Sequence, residues 1–462
     1  MPSASPATPA IRQVPAFITI SLALLMMSVD STIVATVLHA LLRGLDTSIN
    51  WAGWTITAYS FGFVLMLPIS GMLSERMGRR RVFMASVVLF TLASLLCGLT
   101  DNIYLLILLR ALQAAGGAGF TPSATGIVVD YFGSSRDRAV SLFGSIFPVG
   151  AMIGPIFGGL FVTYWSWRGV FFVNVPIGLL ILWMAWRYIP ADPVRERQAG
   201  PRLDYPGLGY LGVCLLAGML ATSFLGERDV AAGSAQVLVP GLLAVLAACL
   251  FFRHIRRVKH PFIKPHLIYG ESFGVVNLIN MVFGGITIGA IALVPLYAGN
   301  RYGIDALGSG TLLVAQGIAA ILFSLTCTLA IRRTGYRLPL YIGGTIIALG
   351  MVLLALPPAF GLPPFLWLTA TAFLVGVGTG TVNPASRNAG LQLAPNHAAT
   401  LAALRTLAMQ IGTITFISIV TMVLSVSHDP GRSQAWVYGI WALVVLAALP
   451  LVAHVPEHKG AW

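Results

Sequence analysis

Fourteen stretches of this chain are apolar for long enough to cross a bilayer, since a spanning helix needs roughly 20 such residues. They run over approximately 16–41, 51–73, 82–99, 103–130, 139–163, 169–188, 207–226, 237–252, 273–299, 311–330, 338–356, 365–386, 398–425 and 435–453. Within each, apolar residues continue without strand-like alternation, so the expected fold is all-α and polytopic. The polar segments between spans are short, which leaves no room for a soluble domain.

Charge then orients the spans. Only 9% of the 462 residues are charged and 57% are apolar, against about 25% charged in a soluble domain. The excess of +13 sits in short loops between apolar runs, which argues for topology and against nucleic-acid binding. The densest loop is 71–83, GMLSERMGRRRVF, with Gly71, Glu75 and Arg76 before a break at Gly78 and Arg79, Arg80 and Arg81 after it. Basic loops stay on the cytoplasmic side. Placing both termini there leaves only Arg43, Arg168, Arg228, Arg301 and Arg432 in outside loops, while Arg110, Arg387 and Arg405 fall in helices or at their ends. The four cysteines lie in apolar runs, which argues against disulfides or a metal site.

An internal repeat divides the spans. Shifting the chain so that Gly335 falls on Gly78 also brings the helix starts 273, 311, 339 and 398 close to 16, 51, 82 and 139. The expected organisation is an N-terminal six-helix bundle over 16–188, an inserted pair over 207–252 and a C-terminal six-helix bundle over 273–453. Parallel repeats of this kind flank a central cavity in transporters.

Several polar residues stand inside this apolar frame. A carboxylate in hydrocarbon is costly and faces water or a partner, so Asp30 in the first span is the foremost candidate. Arg110 in the fourth span can reach it. Two readings follow: Asp30 takes up and releases a proton while Arg110 tunes it, or the two form a permanent structural ion pair. Glu75 and Arg79, with Asp130 and Arg138 at the ends of the fourth and fifth spans, form a candidate gating cluster under the first bundle. The repeat sets Glu75 against Arg332 and Asp130 against Arg387, acids against bases, which suits an attraction between bundles when the inner gate is closed. In the fifth span Gly150, Gly154, Gly158 and Gly159 permit close helix approach, and Pro155 removes a helix hydrogen bond and bends the axis. Arg405 can line a cavity and meet an anionic group, or pair with carbonyls or Glu271. Trp54, Tyr59, Gln113, Asn280, Tyr297 and Asn383 are candidate substrate-cavity residues. No nucleotide-binding loop, spaced metal ligands or nucleophile–base set is present in the sequence, so no enzyme, metal or cofactor is expected and an ion gradient is the natural energy source.

Five motifs in chain order carry a family likeness. The loop GMLSERMGRRRVF, the first-span VDSTIVATVLH, LLRALQAAGGAG with Arg110 and Gln113, GAMIGPIFGG in the fifth span and WSWRGVFFVNVPIG in the sixth resemble those of the fourteen-helix drug:proton antiporters of the major facilitator superfamily, the EmrB/QacA type. Departures are Glu75 for Asp, Ala35 for Asn, His39 for Pro, Ala114 for Gly and Gly169 for an aromatic. The resemblance implies export of amphipathic, often cationic, organic compounds against inward proton flow, by alternating access in the bacterial inner (plasma) membrane. It assigns proton coupling to Asp30 and Arg110, gating to Glu75, Arg76, Gly78, Arg79, Asp130 and Arg138, and an antiporter motif to the fifth-span glycines and Pro155. Relatives often work with a periplasmic adaptor protein. A transporter of a specific anionic metabolite, to which Arg387 and Arg405 are suited, and a non-transporting sensor or scaffold are the alternatives.

Overall fold

A computed structural model describes residues 13–132, 136–192, 204–227, 230–258, 261, 264–270, 272–393 and 398–457. The side chains of Asp130, Arg138 and Arg332 and all of Glu271 lie outside the described residues. Among the described residues every regular element is helical. Thirteen helices are long and apolar enough to cross a membrane, and a shorter apolar stretch, Val149–Tyr164, is part of the fifth.

In chain order the first six spans are α1 (Gln13–Gly44), α2 (Ile49–Met77), α3 (Arg79–Leu99), α4 with α5 (Ile103–Ala118, Phe120–Tyr131), α6 (Arg136–Tyr164) and α7 with α8 (Gly169–Phe172, Asn174–Tyr188). The pair α9 (Tyr205–Leu225) and α10 (Ala235–Arg257) follows, packed together. After the short α11 (Pro265–Tyr269) come α12 (Phe273–Ile279), a π-helix (Asn280–Ile286), α13 (Thr287–Ala292) and α14 (Val294–Tyr302). The chain ends with α15 (Ala306–Thr334), α16 (Arg337–Ala355), α17 (Pro364–Leu393), α18 (Ala398–Val426), α19 (Pro430–Ala448) and a 3₁₀ turn (Leu449–His454). Helix starts carry side-chain caps: Asn102 accepts from the N–H groups of Tyr104 and Leu105, and Asp204, Asp305 and Asp429 each accept from the residue three positions on.

Among the described residues the helices follow the expected apolar runs, with differences that have local causes. The eighth is not short, because Arg253, Arg256 and Arg257 extend α10 beyond the apolar run at 252. The ninth is not one continuous α-helix. It loosens into a π-helix from Asn280 and breaks again at Leu293, where Pro295 follows. The fourth breaks at Gly119, whose absent side chain makes room for Ser86.

Contacts between early and late helices concentrate in the half of the molecule away from Gly78. His39 of α1 pairs with Asn300 Oδ1 of α14 at 2.8 Å. Gly159 of α6 lies against Ala306 and Leu307, Gly310 of α15 against Pro155, and Gly53 of α2 against Thr421 of α18. Helix α9 spans the same seam: Asn50 Nδ2 donates to the Ser223 carbonyl at 2.6 Å, and Ser425 Oγ donates to the Gly226 carbonyl at 2.5 Å. That end is closed.

Candidate functional site

Asp30 is buried in α1 and held by three donors from two other helices. Arg110 Nη1 of α4 donates to its Oδ2 at 2.7 Å. Gln113 Nε2 of α4 and Asn174 Nδ2 of α8 each donate to its Oδ1 at 2.9 Å. All three partners are donors, the arrangement suited to a carboxylate without its proton.

The donors are themselves fixed. Gln113 Oε1 accepts from Arg110 Nη1 at 2.7 Å, which sets the amide so that Nε2 faces Asp30. Ser94 Oγ of α3 accepts from Gln113 and Asn174, each at 3.0 Å, and donates to the Phe171 carbonyl at 2.9 Å. That carbonyl lies where α7 gives way to α8, so the network also satisfies a broken helix. Arg110 Nε donates to the Thr55 carbonyl at 3.2 Å, and its guanidinium lies 4.3 Å above the Tyr59 ring. Arg110, Gln113 and Ser94 are buried, at 1%, 0% and 0% exposure. A buried ion pair needs further hydrogen bonds to offset its desolvation, and Thr55, Gln113 and Asn174 supply them here.

The fifth-span glycines stand beside this network. Gly150, Gly154 and Gly158 recur every four residues on one face of α6, where a Cβ would collide with Ser28, Thr32 and Thr36, which recur at the same spacing on α1. Asp30 lies on the other side of the same helix, toward α4 and α8. Gly159 and Pro155 face α15. One short stretch of α6 therefore touches both the acid-bearing helix and the second half of the chain.

At the basic loop the described side chains show only part of the expected cluster, since those of Asp130 and Arg138 lie outside the described residues. Glu75 and Arg76 are exposed. Arg79 turns inward, with Nη1 donating to Ser74 Oγ at 3.4 Å and its side chain over Gly126, where any Cβ would collide. Gly78 has φ +106, a conformation L side chains rarely adopt. Behind it Asp192 caps α3, accepting from the N–H of Arg80 at 2.9 Å and of Arg81 at 3.0 Å. The second half repeats the device. Gly335 has φ +72, and Glu457 accepts from the N–H of Tyr336 at 2.7 Å and of Arg337 at 3.1 Å. Burial, followed by the Glu457 charge, pushes the Tyr336 phenol up to about 12.

The cavity candidates part company. A cavity of about 170 Å³ opens among α12, the π-helix, α17 and α18, and Asn280 and Arg405 line it together with Arg387, Phe273, Val276 and Leu401. Asn383 accepts from Arg405 Nη2 without lining that space. Tyr59 and Gln113 belong to the Asp30 network instead. Trp54 donates to Ser223 Oγ of α9, and the Tyr297 hydroxyl donates to the Leu354 carbonyl at 2.8 Å. Sequence reasoning missed Ser94, Asn174, Asp192, Ser223 and Glu457. Asn174 had a signal, as a lone amide inside an apolar run; the two capping carboxylates had none, because they cap helices more than 100 residues away.

Comparison with known proteins places the chain in a family. The family model for the Major Facilitator Superfamily matches residues 20–417. The "Multidrug transporter protein MdtP" of Bacillus subtilis is 30% identical over 79% of this chain and 66% of its own length. The chain thus spans about two thirds of that relative. The "Multidrug resistance protein B homolog" of Mycobacterium tuberculosis is 30% identical over 85% of this chain and 72% of its own. Among solved structures, a D-xylose-proton symporter superposes with a TM-score of 0.69 at 15% identity, over 97% of this chain and 99% of its own, a likeness of fold. With a family model along most of its length, relatives named for multidrug transport and a shared fold, this chain is a multi-pass membrane transporter of the Major Facilitator Superfamily.

Proposed function

We propose that the protein exports small organic compounds by alternating access, driven by protons moving inward through Asp30. The observation that carries this is the buried carboxylate held by Arg110, Gln113 and Asn174. Protonating Asp30 neutralises one member of the pair and turns one acceptor oxygen into a donor, so the network cannot keep its form. Helix α1 then loosens from α4 and α8, and α6, keyed to α1 by its glycines, passes the change to α15. Relatives named for multidrug transport and multidrug resistance favour organic compounds as cargo.

The arrangement fits the fourteen-span, EmrB/QacA-type branch, with six-helix bundles over 16–188 and 273–453, an inserted pair over 207–252, both termini cytoplasmic, and a place in the bacterial plasma membrane.

The test uses inverted membrane vesicles with an imposed pH gradient. Adding a transported compound dissipates part of the gradient in the wild type. In Asp30→Asn this response is lost while expression persists. A variant that still moves protons on adding compound removes Asp30 from the mechanism.

A further inference from the structure

The cavity among α12, the π-helix, α17 and α18 has an unusual charge balance for its depth. Two arginines line it, and no acidic side chain does among the described residues. Arg405 projects from α18 and donates Nη2 to Asn383, while its Nε is buried without a partner. Arg387 projects from α17, is exposed, and lies near enough for its charge to act on Arg405. Elsewhere in the chain a buried arginine is matched: Arg110 has Asp30. Like charges facing one space repel unless something negative enters between them. The other wall is apolar, with Phe273 and Val276 of α12. Asn280 sits at the base, 3% exposed; its Nδ2 donates to the Val276 carbonyl at 2.9 Å, so its Oδ1 is the unpaired end.

We infer that this cavity binds the oxyanion of a small organic acid, with Arg405 as its principal partner, Arg387 as the charge at its rim and Phe273 and Val276 against its apolar part. This rests on the export reading and narrows its cargo to acids. An arginine offers a carboxylate two parallel N–H groups, and Arg405 still has an unused donor. Asn280 Oδ1 can accept from a hydroxyl on the same molecule, so hydroxy acids fit better than plain ones. A volume of about 170 Å³ admits a single-ring acid.

The test is binding, read as thermal stabilisation of the full chain in phosphatidylcholine nanodiscs. The probes are benzoate, salicylate, benzyl alcohol and benzylamine, which share a ring and differ in charge. The two acids raise the unfolding midpoint in a saturable way, salicylate at lower concentration, and the alcohol and amine do not. Arg405→Gln weakens the acids' apparent affinity roughly ten- to hundredfold, the loss expected for a hydrogen-bonded charge. Arg387→Gln, at an exposed position, weakens it less without affecting folding. Arg405→Lys keeps the charge but loses the fork, and falls between wild type and Arg405→Gln. No stabilisation by either acid, or equal stabilisation in Arg405→Gln and Arg387→Gln, overturns the assignment. A parallel set of nanodiscs contains phosphatidylglycerol. If that lipid alone stabilises the wild type through the two arginines and abolishes the response to benzoate, the site belongs to a headgroup and the cargo assignment falls. Because no proton flux is read, failure here leaves the role of Asp30 standing, and failure of Asp30→Asn in vesicles leaves this site standing.

Discussion

Asp30 and Thr287 occupy corresponding places in the two halves under the offset that carries Gly78 onto Gly335, and both are buried. Around Asp30 both carboxylate oxygens are bonded, by Arg110, Gln113 and Asn174. Around Thr287 the hydroxyl has no partner, and the polar groups nearby in sequence and packing are neutral. Gln434 Nε2 of α19 donates to the Leu293 carbonyl at 3.0 Å and to the Tyr438 hydroxyl at 3.1 Å, and Tyr438 donates to the Ala290 carbonyl at 3.2 Å. Both halves thus use side chains to satisfy a broken helix, Ser94 at α7–α8 and Gln434 with Tyr438 at α13–α14. Among the described residues only the first half has an ion pair at this place. On the proposed reading, protonation of Asp30 therefore acts on the first half directly.

The sharpest way to break that contrast is to remove one member of the pair. Arg110→Gln leaves Asp30 buried and uncompensated, at a cost of about 3–5 kcal/mol. The double variant Asp30→Asn with Arg110→Gln recovers most of that loss and still moves no protons. Gln434→Leu in the second half removes a neutral donor whose Leu293 acceptor is also bonded by the Tyr297 N–H, so it costs about 1 kcal/mol and leaves proton movement intact. Thermal unfolding midpoints of the purified variants, beside gradient dissipation in vesicles, read both quantities. Equal losses for Arg110→Gln and Gln434→Leu would abolish the distinction between the halves.

Next in size is the seam between α6 and α1. Gly154→Val drives a branched side chain into Thr32 and the Val29 carbonyl, and overpacking of this kind costs about 1–3 kcal/mol. Trimming Thr32 to Ala relieves part of it, because the side chain is among the groups struck, while the backbone carbonyl remains. The double-mutant cycle measures that coupling. Transport falls more than stability if α6 carries motion between α1 and α15, and in step with stability if the glycines only pack.

The apolar runs marked the spans because the bilayer imposes length and composition on each helix separately, and that constraint is local. The same logic made Asp30 and Arg110 visible, as charges where hydrocarbon forbids them. Their partners were less legible. Ser94 is small enough to pass as a packing residue, and Asn174 declares itself only once α8 is known to face α1. The π-helix at Asn280 was not visible either, since its sequence, NMVFGGI, is as apolar as its neighbours; what accompanies it is the close approach of Gly285 to α18 at Met409 and Gly412. Arg79 illustrates a different limit. Its side chain lies over Gly126, a space on the neighbouring helix that the spacing from Glu75 does not announce.

The smallest expected effect concerns a feature the two halves share. In each, a glycine at positive φ ends one helix, and the first N–H groups of the next helix donate to a carboxylate on the chain that follows the half's last span: Asp192 for α3 and Glu457 for α16. A carboxylate at a helix start satisfies N–H groups that have no partner within the helix and meets the positive end of its dipole. Both carboxylates also bind their helix to a distant segment, so each cap is a tertiary tie. Asp192→Asn and Glu457→Gln keep the shape and remove the charge, and each lowers stability by about 0.5–2 kcal/mol. Similar losses mean that the halves share their supporting chemistry and differ only in the ion pair. A loss confined to Asp192→Asn would mean that the asymmetry seen at Asp30 extends to the basic loop, and that the charged half depends on electrostatics at its surface as well as at its centre.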